Sequence, residues 1–415
     1  MKQSGTAVTL LRGAGVVAVA MAFGQVLAYV VYVVAARRLA PDDFSSLSSL
    51  LTIVVIGAVL AFGLQAVTAR RIAQADSGIH PGIAARVQRF GLLAGVVIAA
   101  VIVVASPLLA VLLRQAGVGD VLVIAVMFIP LTFVGALYGY AQGREDHVRL
   151  GGLLLVGAIG RFGGGLLGLL GFGTVTGTLV ATMVGTWLGV GVGWWWFGRT
   201  SREPPTVIAR LTTEVLHASH ALFAFFIATS VDLLLARFFL SGDESGQYAV
   251  GAVITKVALW LPSFIAVVAF PRMAKQRGRR VALMAASAVG ITGTLLVLFL
   301  AMFGEFVLAF VAGPEYAEMA PYLWIFGVIG AAFALAQFLL YARLAVDDRR
   351  AVFAVWLAIV GIVGTVVIWH DSFVQIAAVV AGWAVLLAAA GVVTVALTGE
   401  VPAADADAAF EIEIA

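Results

Sequence analysis

Apolar stretches of about twenty residues recur along the whole chain, and they constrain its fold more than any other feature. Wound as an α-helix at about 1.5 Å per residue, one such stretch matches the roughly 30 Å hydrocarbon core of a bilayer. Twelve candidate spans lie near residues 12–36, 44–66, 90–113, 120–142, 150–170, 173–198, 214–240, 248–270, 281–304, 318–342, 350–369 and 373–397. The chain is 62% hydrophobic and only 11% charged, too little polar surface to cover a soluble fold of 415 residues. The expected fold class is therefore an all-α integral membrane protein. The first stretch is too long for a signal-peptide core and runs into Arg37 and Arg38, so it reads as a span.

The basic residues follow this topology rather than a nucleic-acid footprint. Nineteen of the 25 Lys and Arg fall on one side: Lys2 and Arg12, then the loops after even-numbered spans. These loops hold Arg70, Arg71, Arg86 and Arg89; Arg144 and Arg149; Arg199, Arg202 and Arg210; Arg272, Lys275, Arg277, Arg279 and Arg280; and Arg343, Arg349 and Arg350. The opposite loops carry only Arg37, Arg38 and Arg114. The positive-inside rule places both termini in the cytoplasm. The longest loop, residues 69–89, is too short to fold as a catalytic domain. The acidic end, residues 400–415, reads as a solvated, disordered cytoplasmic tail.

Three pairs of segments repeat near one offset. "RRIAQ" at residue 70 matches "PRMAK" at residue 271, and "YAQGREDHVR" at residue 140 matches "YARLAVDDRR" at residue 341, both 201 residues apart. "AARRLAPDD" and "LARFFLSGDE" follow spans 1 and 7 at nearly that spacing. This register predicts two six-helix bundles related as a parallel repeat, residues 1–205 and 206–399. Such pairs of bundles enclose a central path and work by rocking of the halves.

Three ionisable residues fall at similar depth inside spans. Asp232 lies eight residues before the end of span 7 at Leu240, about 12 Å at 1.5 Å per residue, hence near the midplane. Lys256 in span 8 and Arg161 in span 5 sit about as deep. Arg237 is five residues from Asp232, about 140° around the helix, so the two do not face each other. Asp232 needs a partner on another helix, either Lys256 or Arg161. A static Asp232–Lys256 pair would merely orient helices; otherwise such ions mark a substrate or ion path. Arg37, Arg38 and Arg237 add cations at the outer mouth, where they serve an anionic substrate or anchor lipid headgroups. Gln25, near mid-depth in span 1, and Gln337 in span 10 line the path or tie helices together.

Weaker signals resolve in favour of packing. Gly163, Gly165 and Gly168 formally match a dinucleotide fingerprint, but no strand precedes them. Gly160, Gly164 and Gly168 share one helix face and permit close packing. Glu214, His217 and His220 have a spacing conceivable for a metal or proton relay, yet equally that of a solvated interfacial turn. Trp194, Trp195 and Trp196 read as an interfacial aromatic belt. Pro107, Pro130 and Pro262 mark possible bends. With no cysteine and no Ser-His-Asp, Walker, His-Glu-x-x-His or paired-carboxylate pattern, neither enzyme chemistry, cofactor nor metal is expected.

The segment "VDLLLARFFLSGDESGQYAVGAVITKVALWLPSFIAVVAFPRMAK", residues 231–275, resembles the Wzx-type polysaccharide and oligosaccharide flippases. These belong to the multidrug/oligosaccharidyl-lipid/polysaccharide (MOP) exporter superfamily. The resemblance rests on Asp232, "GQY" at 246–248, Lys256 and "FPRMAK", and extends to "AARRLAPDDFSSLSSL" and "AGPEYAEMAPYLWIFGVIG". It implies a flippase that moves an undecaprenyl-diphosphate-linked oligosaccharide across the bacterial inner membrane for cell-surface polysaccharide assembly. Arg161 and Lys256 would then bind the headgroup, and Asp232 would gate or couple transport to H+ or Na+. The partners implied are the lipid-linked glycan, membrane lipids and glycan polymerases or glycosyltransferases. A drug or cation antiporter would need an anionic path, and only one mid-depth carboxylate is present. A membrane polymerase or ligase would need a large outer loop, which is absent.

Overall fold

The computed structural model describes residues 2–197, 210–273, 279–344 and 350–397. The acidic stretch 400–415, Arg199, Arg202, Lys275, Arg277 and Arg349 lie outside the described residues. All regular structure within them is helical. The helices are α1 (Lys2–Arg38), α2 (Pro41–Gly57), α3 (Val59–Ala73), α4 (His80–Leu112), α5 (Gly119–Gly143), α6 (His147–Ala158), α7 (Gly164–Gly171) and α8 (Val175–Phe197). After these come α9 (Leu211–Ala228), α10 (Val231–Phe239), α11 (Gly242–Met273), α12 (Arg279–Val311), α13 (Leu323–Leu344), α14 (Arg350–Ile368) and α15 (Phe373–Leu397).

Eleven helical segments among the described residues are long and apolar enough to cross a membrane. Together with α11, a 32-residue helix, they make an all-α, multi-pass membrane fold. The pattern is inverted relative to a soluble protein: apolar side chains also face outward. On α4, Leu93, Val97, Val101, Val104, Leu108 and Val111 are exposed at three- and four-residue spacing, while Gly91, Gly95, Ala99 and Ile102 are buried. That is one lipid-facing stripe and one packing stripe on the same helix.

Two compact units form. One contains residues 2–38 and 50–223, the other residues 39–49 and 224–397 of the described chain. In the first unit α5 is central, packing against α3, α4 and α8, while α1 lies on α6. In the second, α13 is central and packs against α11, α12 and α15. The most deeply buried spans are accordingly Gly119–Gly143 and Pro314–Tyr341.

Three elements differ from the sequence expectation. The loop expected over 69–89 is mostly helical, because α3 runs to Ala73 and α4 starts at His80. Helices continue past the apolar window into water, where hydropathy no longer marks them. Span 5 is interrupted at Ile159–Gly163 by one π-helical turn between α6 and α7. Span 7 is not continuous: α9 stops at Ala228 and α10 starts at Val231. Thr229 and Ser230 make the break, with the Thr229 hydroxyl donating to the Phe225 carbonyl. No proline or glycine causes it. The Thr229 hydroxyl, bonded back to the carbonyl four residues earlier, competes with the helical ladder there, and no side chain caps the new N-terminus at Ser230.

Candidate functional site

Arg161 sits on the π-helical turn of the first unit. Such turns insert one extra residue into a helix and recur at functional sites. Glycines surround it in sequence, and they allow the backbone to press on α8. A Cβ added at Gly160 or Gly164 would meet the carbonyl oxygens of Gly185 or Ala181 closer than 3.0 Å. Gly168 likewise meets the carbonyl of Gly177, so the expected packing role of the glycine stripe is what the structure shows. The Arg161 side chain is half-buried, and its Nε is buried without a protein hydrogen-bond partner. Its guanidinium carbon lies 5.2 Å from the Phe162 ring centre. Tyr32 of α1 and Tyr138 of α5 are close enough to interact with it electrostatically. A guanidinium inside a membrane with an unused donor is costly unless something anionic reaches it.

In the second unit, the helix break places Asp232 in the first turn of α10. Its carboxylate accepts a 2.9 Å hydrogen bond from the Tyr248 hydroxyl. The unpaired N–H groups and dipole of a helix N-terminus favour a carboxylate there. Tyr248 is fully buried and stands edge-on to Phe326, with ring centres 5.2 Å apart. Asp232 itself is 2% exposed. Lys256, half-buried on α11, acts on Asp232 electrostatically, but no ion pair joins them. The partner that Asp232 requires on another helix is therefore Tyr248 of α11.

The remaining candidates separate. Arg37 and Arg38, at the end of α1, are exposed. Arg237 is 2% exposed and makes an ion pair with Asp42, a 3.1 Å bond to the Asp42 carbonyl and a 3.5 Å bond to Ser245. Gln25 is half-buried on α1. Gln337 donates to the Tyr341 hydroxyl at 3.0 Å. Glu214 is engaged by Arg70 at 3.0 Å and also by Arg71, tying the start of α9 to the end of α3. No group of three or more His, Cys, Asp or Glu able to hold a metal occurs among the described residues.

Sequence reasoning did not single out Tyr32 or Tyr138, and it met Tyr248 only within the "GQY" of the family resemblance, not as the partner of Asp232. The signal was present: a phenol well inside an apolar span needs a hydrogen-bond partner as much as a charge does. It also passed over Gly135, Gly139 and Gly143, whose four-residue spacing lays a bare face of α5 against the α3 backbone.

The polysaccharide biosynthesis protein family matches residues 10–277, well over half of the chain. Comparison with curated proteins gives no match. Among solved structures, the chain is similar to an inward-facing multidrug resistance MATE family transporter of the MOP superfamily. That likeness has 15% identity, covers 90% of this chain and 94% of the other, and has a TM-score of 0.70. It is also similar to the lipid II flippase MurJ in an inward closed conformation, at 10% identity over 92% of this chain and 87% of that one, TM-score 0.68. A MOP superfamily transporter from Pyrococcus furiosus Vc1 (DSM3638) aligns at 14% identity over 94% and 95%, TM-score 0.60. The chain thus belongs to the polysaccharide biosynthesis protein family and has the multi-pass helical fold of the MOP-superfamily transporters.

Proposed function

We propose that this protein is a transporter, not an enzyme, and flips an undecaprenyl-diphosphate-linked oligosaccharide from the inner to the outer leaflet of the cell membrane. The observation that carries this reading is Arg161: a half-buried guanidinium on a π-turn with an unpartnered Nε. Arginine matches phosphate oxygens with charge-assisted, directional bonds. A diphosphate headgroup supplies the anion that the site lacks. Family membership supports polysaccharide assembly as the setting. The MurJ likeness supports a fold that suits lipid-linked cargo in that protein.

Around this site the rest of the reading follows the charge pattern. Both termini are cytoplasmic, and two parallel six-helix repeats, residues 1–205 and 206–399, move by alternating access, with 400–415 as a cytoplasmic tail. Lys256 is a second headgroup cation, and Asp232 is the coupling or gating group for H+ or Na+. Arg37 and Arg38 serve the outer mouth, whereas Arg237, expected there too, is buried in its pair with Asp42; Gln25 lines the path. Glycosyltransferases or a glycan polymerase are the functional partners.

The test is reconstitution in proteoliposomes with a fluorescent undecaprenyl-diphosphate oligosaccharide. Translocation is expected with the native chain. Arg161→Ala should slow it about tenfold or more, the worth of a charge-assisted hydrogen bond of roughly 1.5–3 kcal/mol. No translocation by folded protein under any H+ or Na+ gradient would sink the proposal. For coupling, Asp232→Asn is expected to change the pH profile of transport, because it removes the titrating group while keeping the hydrogen-bond acceptor for Tyr248. An identical profile would assign Asp232 a purely structural part.

A further inference from the structure

Arg161 is one of three polar groups that the first unit brings together from three spans. Tyr138 on α5 lies five residues, about 8 Å, from the end of that helix at Gly143. Tyr32 on α1 lies six residues, about 9 Å, from the end of its helix at Arg38. These two ends lie on opposite sides, since α1 is the first crossing and α5 the fourth, and successive crossings alternate in direction. Arg161 is ten residues from the end of α7 at Gly171, deeper than either tyrosine. The phenols therefore bracket the guanidinium along the direction of the spans. Both are half-buried; α1 packs against the π-turn itself, and the Tyr138 hydroxyl lies against the same span at Gly157.

One detail ties Tyr138 to this arrangement. Gly157 stands one turn before Arg161, and a Cβ there would lie 2.7 Å from the Tyr138 hydroxyl. The absence of a side chain at residue 157 is what gives the phenol its place beside the arginine turn. A tyrosine kept only for bulk would not require that its oxygen abut a glycine. A guanidinium carries only donors, whereas a phenol both donates and accepts, so each hydroxyl can donate to an anion held at Arg161. Three groups that can each donate, with no carboxylate among them, suit an oxyanion.

We infer that Tyr138, Arg161 and Tyr32 form a ladder of donors that holds a diphosphate rather than a monophosphate, with Gly157 setting the position of the Tyr138 rung. This rests on the flippase reading and sharpens it, by assigning headgroup selectivity to two phenols. With two phosphate groups, a ligand can engage the guanidinium and a phenol together; with one, it satisfies the guanidinium and leaves the tyrosines in contact with water or nothing.

The experiment is calorimetric titration of the purified, folded chain with two soluble probes, geranyl diphosphate and geranyl monophosphate. The native chain should bind the diphosphate about tenfold more tightly. Tyr138→Phe and Tyr32→Phe should each weaken diphosphate binding roughly three- to tenfold, the worth of one hydrogen bond, and leave the monophosphate nearly unchanged. Gly157→Ala should reproduce the Tyr138→Phe pattern, because it displaces the hydroxyl and keeps it chemically intact. Arg161→Ala should weaken both probes. Equal affinity for the two probes in the native chain would overturn the inference, as would Phe variants that bind the diphosphate like the native chain. These outcomes are separable from failure of the flippase reading, which would show as intact diphosphate selectivity without translocation in proteoliposomes.

Discussion

Replacing Gly139 with valine is expected to prevent the first unit from folding. Gly135, Gly139 and Gly143 lie one turn apart on α5, and each faces the α3 backbone. An added Cβ would fall closer than 3.0 Å to the carbonyl oxygens of Ala61, Gln65 and Ala69 respectively. These are main-chain atoms inside a helix, so they cannot rotate away as a side chain would. Within a bilayer there is no hydrophobic gain from bringing helices together; packing at short range holds them. Overpacking costs about 1–3 kcal/mol in ordinary cores and more where backbone must move. Gly139→Ala should lower the melting temperature clearly, and Gly139→Val should give no monodisperse protein on size exclusion in detergent. The control is Gly382→Ala on α15, where nothing lies within 4 Å of the new methyl. It should be neutral or gain up to about 1 kcal/mol from helix propensity. A well-folded Gly139→Val variant would show that α3 and α5 need not approach so closely.

The second large effect is expected at Asp42, and it is asymmetric. The Arg237 side chain is 3% exposed, whereas that of Asp42 is 58% exposed. Removing the carboxylate takes its ion-pair partner from a buried guanidinium that also bonds the Asp42 carbonyl and Ser245. Breaking a buried pair this way costs about 3–5 kcal/mol, and the exposure of Asp42 puts the expectation at the low end, about 3 kcal/mol. Removing Arg237 instead leaves a carboxylate that water already reaches, so Arg237→Met should cost less than Asp42→Ala. The double variant should resemble Arg237→Met alone, a strong coupling in a double-mutant cycle. Thermal unfolding in detergent measures all three. Equal losses from the two single variants would show that the guanidinium does not depend on the Asp42 carboxylate. The same contact encloses Pro41 and Gly242: side-chain atoms of Asp42 lie where a Cβ at Gly242 would be, and Pro41 likewise abuts Gly246. Since the chain has no cysteine, a Pro41→Cys, Gly246→Cys pair can be cross-linked without background, which checks that contact directly.

Much of the fold was legible because membranes simplify the problem. An apolar run must become a helix in lipid, where every backbone group has to be satisfied within its own segment. Hydropathy therefore locates the spans, and the glycine spacing of span 5 reads correctly as a packing face. The ionisable residues of the site were legible for the same reason: Arg161, Asp232 and Lys256 stand out against an apolar background. What they touch was not legible. Depth arithmetic matched Asp232 with Lys256 or Arg161, because it counts only charges. The carboxylate instead bonds to a neutral phenol sixteen residues away. The break before Val231 was visible in principle as a Thr-Ser pair able to bond back to helical carbonyls, but a window of apolar residues averages it away.

By itself, then, the sequence determined that this chain crosses the membrane many times as helices, where each span lies, and which few residues carry charge inside it. Those properties depend on composition within a span, and a span is a local object. Only the tertiary structure decided that Arg237 is buried against Asp42, 195 residues away, that Gly157 makes room for the Tyr138 hydroxyl, and that Arg161 rides on a π-turn with a donor to spare. Each of these depends on which helices come to lie side by side, and helical periodicity specifies a face without specifying its neighbour.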